Sequence, residues 1–267
     1  MSTTTSTARS DLILLERSDA IARVTLNRPE RLNAFNLAMW ERLGVVMAEV
    51  NKDDSLRCVL LSGAGGKAFG AGADIAEFST VRSNAVQAQA YGQVVDRALE
   101  GIEHSPHAVV VAIQGPCMGG GLELALLADL RICGEGAKFG IPIKRIGHCL
   151  PYSGLHALVE LTGRATALEI LLEGRVFGAA EALAKGLVTR VVADDQVMAE
   201  AEATAGRIAS GAPLAMRWHK RFVQRVLDPR PLSEAELAEP FKACDSEDYK
   251  EGIRAFLAKE IPLFRGR

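Results

Sequence analysis

The sequence predicts an α/β fold built on a largely parallel sheet, with a helical subdomain at its C-terminal end. Three observations predict it. Residues 57–62 (R-C-V-L-L-S) and 108–113 (A-V-V-V-A-I) are short, continuous apolar runs rich in Val and Leu, as strands buried on both faces read. Each is followed by a glycine-rich loop and then a helical pattern, the alternation that parallel pairing with crossover helices requires. From Asp194 to Arg267 only helical patterns occur.

In chain order, the N-terminal M-S-T-T-T-S-T-A-R-S is polar, lacks the apolar centre of a secretory signal and reads as a frayed tail over residues 1–10. Residues 12–15 (L-I-L-L) and 20–26 (A-I-A-R-V-T-L) form two short strands around Arg17-Ser18-Asp19, a hairpin whose second strand alternates Ile21, Arg23 and Thr25 with Ala22, Val24 and Leu26. Leu43, Val46, Met47 and Val50 recur at three- and four-residue steps and predict a helix over Leu37 to Val50. Further strands are expected at 130–133 and 188–192, and helices around 84–103, 154–161, 165–172 and 178–185. The division is thus a tail (1–10), an α/β core (11–193) and a helical region (194–267).

Charge and composition exclude several classes of function. The 31 basic and 33 acidic residues leave a formal charge of −2 without a single-sign block, so there is no electrostatic footprint for nucleic acid. No run of about 18 apolar residues exists to span a membrane. Five cysteines, an odd number without a C-x-x-C pair, fit a reducing compartment, and a cytoplasmic enzyme of small molecules is the expectation.

Two glycine-rich loops carry the chemistry, S-G-A-G-G-K-A-F-G-A-G-A-D-I (Ser62 to Ile75) and Q-G-P-C-M-G-G-G-L-E (Gln114 to Glu123). In a parallel sheet both leave from the carboxyl edge, where α/β proteins bind ligands. Neither is a nucleotide motif. G-A-G-A-D-I lacks the third glycine of the dinucleotide fingerprint, and Gly66-Lys67 is followed by Ala68 where a P-loop needs Ser or Thr. What remains is either tight turns and close helix packing, or one backbone N–H per loop converging on an oxygen that gains charge during reaction.

The segments K-A-F-G-A-G-A-D-I (Lys67 to Ile75) and M-G-G-G-L-E-L-A-L-L-A-D (Met118 to Asp129) closely resemble the two signatures of the crotonase superfamily, the enoyl-CoA hydratase/isomerase family. The resemblance takes in L-N-R-P-E-R-L-N-A (Leu26 to Ala34), A-K-F-G-I-P (Ala137 to Pro142), A-L-A-K-G-L-V-T-R-V-V (Ala182 to Val192) and S-E-D-Y-K-E-G-I-R-A-F-L (Ser246 to Leu257), nearly the whole chain. It implies a crotonase-like spiral of β-β-α units with a trailing helical region, assembled as a homotrimer or a dimer of trimers. It also implies an acyl-CoA thioester substrate, coenzyme A arriving on the substrate with no separate cofactor, and no metal. Carried over by position, the backbone N–H groups of Ala73 and Gly120 form an oxyanion hole for the thioester carbonyl. Ala71, Gly72, Asp74 and Ile75 line the coenzyme A site, with Arg31 and Lys250 near its phosphates.

Glu123 matches one of the two glutamates that hydratases of this family place beside the substrate's Cα and Cβ. It is the one acid in an otherwise apolar segment, where burial raises its pKa and the adjacent helix start lowers it. The second glutamate follows A-x-F-G-x-P directly in those hydratases, and here that position is Ile143. Either Glu123 performs both proton transfers, another side chain substitutes, or the reaction differs: double-bond isomerisation, decarboxylation, thioester hydrolysis or acyl-CoA binding without chemistry. The substitutes on offer are His148, with a suitable intrinsic pKa, Tyr152 as a donor, and Cys149 if its thiolate were stabilised.

Overall fold

A computed structural model describes residues 12–267; the tail assigned to residues 1–10 lies outside the described residues. The predicted hairpin forms from β1 (Ile13–Ser18) and β2 (Ile21–Leu26), paired antiparallel. Its two-residue turn is Asp19-Ala20, both at positive φ (52° and 61°), the backbone twist that suits a two-residue hairpin. The chain then caps α1 (Leu37–Val50) with Asn36, whose side chain accepts from the Met39 N–H at 2.9 Å.

The buried runs become β3 (Cys58–Gly63) and β4 (Ala108–Ile113), separated by a short helix α2 (Phe78–Val81) and the long α3 (Ala85–Glu103). With β6 (Leu130–Gly134) and β9 (Arg190–Val192) they make a six-stranded sheet of order β1-β2-β3-β4-β6-β9, parallel from β2 onward. One face carries the main core, with Trp40, Leu43, Met47, Leu99 and Ile102 from α1 and α3.

A second sheet escaped the sequence reading: β5 (Pro116–Met118), β7 (Lys138–Gly140) and β8 (Phe177–Gly178), two to three residues each. Such strands are too short for a period to show. Between β5 and β6 lies α4 (Gly120–Leu126), the apolar helix that carries Glu123. The helices expected at 154–161 and 165–172 run as one element, α5 (Tyr152–Glu173), broken where the sequence leaves a gap, at Gly163 (φ 75°, ψ 163°). After α6 (Ala179–Ala184) and β9 the chain is helical as predicted: α7 (Val197–Ala209), α8 (Pro213–Leu227), α9 (Glu234–Ala238) and α10 (Glu247–Ala258). Helix α7 lies across the sheet's other face, where Val197, Ala201 and Ala205 meet Leu60, Val110 and Ile132. The core therefore draws on residues from both sides of position 194.

Candidate active site

The two glycine loops meet backbone to backbone. Gly70 pairs with Cys117 in an isolated parallel bridge, its N–H donating to Pro116 O (3.0 Å) and its carbonyl accepting from Met118 N–H (2.9 Å). A Cβ on Gly121 would sit 2.6 Å from Gly70 O, a separation that only glycine permits. Asn33, from the L-N-R-P-E-R-L-N-A segment, staples the first loop. Fully buried, it donates to Ala64 O (3.1 Å) and Ala68 O (2.8 Å) and accepts from Arg28 N–H (2.9 Å).

Both expected donors follow a glycine at positive φ, Gly72 (101°) before Ala73 and Gly119 (46°) before Gly120. Phe35 bridges Ala73 through its neighbours, donating to Gly72 O (2.8 Å) and accepting from Asp74 N–H (2.7 Å). In such a bridge the central residue's own N–H points the other way. Gly120 opens α4, so its N–H has no acceptor within the helix. Behind it stands Trp40, stacked on Phe35 at 4.1 Å and 3.1 Å from where a Gly120 Cβ would lie.

These groups line one cavity of about 350 Å³. Ala71, Gly72, Ala73, Ile75, Gly120 and Glu123 all face it, and the residual exposure of Glu123 opens into it. The contest over Glu123 is settled by burial, which outweighs the Arg82 charge and, helped by the Asp96 carboxylate, pushes its pKa up to about 7. Ile143, the residue that follows A-K-F-G-I-P, also lines the cavity and makes an apolar stretch of its wall.

The remaining sequence candidates divide. His148 lines the cavity, and its Nε2 is taken up by the Arg82 guanidinium. Burial and that same charge lower its pKa, keeping the ring neutral with its proton on Nδ1. Cys149 is at the exposed rim. Tyr152 is a correction: it is 90% exposed and absent from the lining, because it opens α5 on the outer side while Ser153, one residue on, turns inward. Asp74 lines no wall either. Its carboxylate turns back to Arg28 (3.0 Å) and caps the turn at Ala76 (3.3 Å), and the Arg28 bond holds its pKa below the ordinary carboxylate range. Arg31 and Lys250 are exposed and outside the cavity.

Sequence reasoning missed Asp96 and Arg82. Asp96, on α3, accepts from Ser153 Oγ (3.0 Å), and a Cβ on the next residue, Gly154, would touch Glu123 Cγ at 3.5 Å. The start of α5 thus runs beside both carboxylates, which line the same cavity. Arg82 ends α2 with its guanidinium 4.7 Å over the Phe78 ring and 5.1 Å over Tyr91. Neither carries a periodicity or motif signal.

The family model for enoyl-CoA hydratase/isomerase matches residues 16–267. The chain belongs to this family. Relatives include a short-chain-enoyl-CoA hydratase of Clostridium acetobutylicum, 33% identical over 96% of this chain and 98% of that protein, and a crotonyl-CoA hydratase of Syntrophomonas wolfei, 34% identical over 94% and 97%. Among solved structures, an enoyl-CoA hydratase/carnithine racemase of Magnetospirillum magneticum superposes with a TM-score of 0.94 at 52% identity, covering 96% of each chain. The crotonase-type fold expected from the signature segments is the fold found, and the protein is an enzyme of the enoyl-CoA hydratase/isomerase family.

Proposed function

We propose that the chain hydrates the double bond of a 2-enoyl-CoA thioester, with Asp96 supplying the acid–base group that Ile143 cannot. The observation that carries this reading is a single cavity lined by Ala73, Gly120, Glu123 and Asp96, on which the two backbone N–H donors would converge. The thioester oxygen accepts from Ala73 and Gly120, which draws electron density from the double bond and holds the enolate charge. Asp96 takes a proton from water as the water oxygen bonds Cβ, and Glu123, protonated below about pH 7, delivers a proton to Cα. Exchange with solvent then removes the proton from Asp96 and restores the one on Glu123. Water is consumed whole and no redox partner is required.

Coenzyme A enters on the substrate, with Ala71 to Ile75 along its thioester arm and Arg31 and Lys250 toward its phosphates; no further cofactor or metal takes part. The enzyme works in the cytoplasm, a setting consistent with five free thiols among the described residues, three of them buried. It acts as a homotrimer or dimer of trimers joined through residues 194–267, where Phe256, Leu257 and Ile261 leave large apolar surface uncovered on the single chain. Among the described residues no helix is long and apolar enough to cross a membrane.

Asp96→Asn tests the assignment. Turnover of crotonyl-CoA is expected to fall about 10²-fold. Because the Asp96 charge raises the Glu123 pKa, its removal shifts the alkaline limb of kcat/KM, set by Glu123 near pH 7, toward lower pH. Unchanged turnover with an unmoved limb would leave Glu123 as the sole acid. A wild-type enzyme inert toward crotonyl-CoA would send the same hole to isomerisation, decarboxylation or thioester hydrolysis, the readings that Ile143 favours. Acyl-CoA binding without product from any thioester would make the chain a binding subunit.

A further inference from the structure

The cavity holds a cation that the proposed hydration does not use. Arg82 is half-buried and shares the lining with Ile75, Phe78, Val95, Leu99 and Ile146. Among the described residues no carboxylate lies within ion-pair distance of it, although its charge reaches Glu123 strongly enough to oppose the effect of burial there. Among the described residues its guanidinium has one polar contact, His148 Nε2, a neutral acceptor that leaves the rest of the fork open. The Phe78 and Tyr91 faces fix the plane of the group, so that the fork is pre-organised. Partial burial of a guanidinium without a carboxylate partner carries a desolvation cost, and a ligand anion relieves it.

We infer that Arg82, braced by Phe78, Tyr91 and His148, recognises a carboxylate at the distal end of the acyl group, making the preferred substrates monothioesters of short dicarboxylic acids. This rests on the acyl-CoA reading of the site, not on the hydration step. Arg82 shares the lining with apolar side chains and does not lie on the glycine loops that carry the hole donors, and in this proposal it stands against the acyl chain beyond Cα and Cβ rather than at the thioester oxygen. Neither carboxylate of the cavity pairs with it: Asp96 accepts from Ser153 Oγ at 3.0 Å, and burial favours the uncharged acid at Glu123.

Binding of saturated thioesters tests this without any turnover. Glutaryl-CoA and pentanoyl-CoA have acyl groups of equal carbon number and differ in the terminal carboxylate. Wild-type protein is expected to bind glutaryl-CoA about 10- to 100-fold more tightly, the range of a charge-assisted hydrogen-bonded pair. In Arg82→Met, which keeps the aliphatic length, the two dissociation constants converge; in Arg82→Lys, which keeps the charge without the fork, the preference drops to a few-fold. Equal or weaker binding of glutaryl-CoA by the wild type overturns the inference, as does a preference that survives in both variants. If Arg82→Met does not fold, Arg82→Lys alone decides, an unchanged ratio being the contrary result. Crotonyl-CoA turnover, measured beside these, fails independently if hydration is the wrong reaction.

Discussion

Glu123→Gln is expected to lower kcat for crotonyl-CoA hydration by about 10²- to 10⁴-fold while leaving acyl-CoA affinity within a few-fold, the signature of lost proton transfer with the hole intact. The amide keeps the size and polarity of the carboxylic acid but cannot deliver a proton to Cα. The same substitution has an opposite effect on stability. A carboxyl held at about 7 in the folded chain and near 4.5 when unfolded favours the folded state only while it stays protonated. As pH rises from 4.5 through 7 the unfolded chain gains from ionising first, at a cost of the order of 3 kcal/mol to the folded state. Thermal melts should therefore show Glu123→Gln matching the wild type at pH 4 and exceeding it at pH 8. A melting difference independent of pH would mean that Glu123 is not buried as an acid.

Gly121→Ala is expected to separate the two loops and to lose both rate and stability. The new Cβ would lie 2.6 Å from Gly70 O and 3.1 Å from Gly70 C and Cα, all backbone atoms tied to Pro116 and Met118, with no flexible side chain able to yield. Relief requires the loops to part, which displaces Ala73 relative to Gly120. Misplacing one hole donor costs about 10²–10³ in kcat, and the overpacking itself about 1–3 kcal/mol. Gly206→Ala is the control: this exposed glycine in α7 has open space where the methyl would go, so the change should stabilise the helix slightly and leave kinetics untouched. If Gly121→Ala behaves like Gly206→Ala, the close approach of the loops is not what forms the hole.

The features legible in the sequence are those with a period or a fixed backbone demand. β3 and β4 show as uninterrupted apolar runs because both faces are covered, by α1 and α3 on one side and α7 on the other. The glycine loops show because Gly72 and Gly119 need positive φ and Gly121 needs close approach. Glu123 shows as a lone charge in an apolar helix. Legibility fails where a residue's role depends on how distant elements are juxtaposed. Asp96 is one polar position on an amphipathic helix until α5 brings Ser153 against it. Arg82 ends a four-residue helix with no pattern at all, and its meaning comes from two rings and a histidine 66 positions away. Tyr152 failed for a local reason, since which side of a helix start faces inward turns on a single residue of register. Arg31, Asp74 and Lys250 came from positional likeness alone, and the geometry puts none of them in the cavity.

The central claim is that this cavity adds water across a 2-enoyl thioester with Glu123 protonating Cα. Incubation of crotonyl-CoA with the enzyme in deuterated water, followed by mass and proton spectra of the product, tests it most directly. The account predicts 3-hydroxybutyryl-CoA carrying one deuterium at Cα, formed by the wild type and all but absent with Glu123→Gln. Recovery of unchanged crotonyl-CoA from the wild type, or labelled hydroxy product at an undiminished rate from Glu123→Gln, would contradict it.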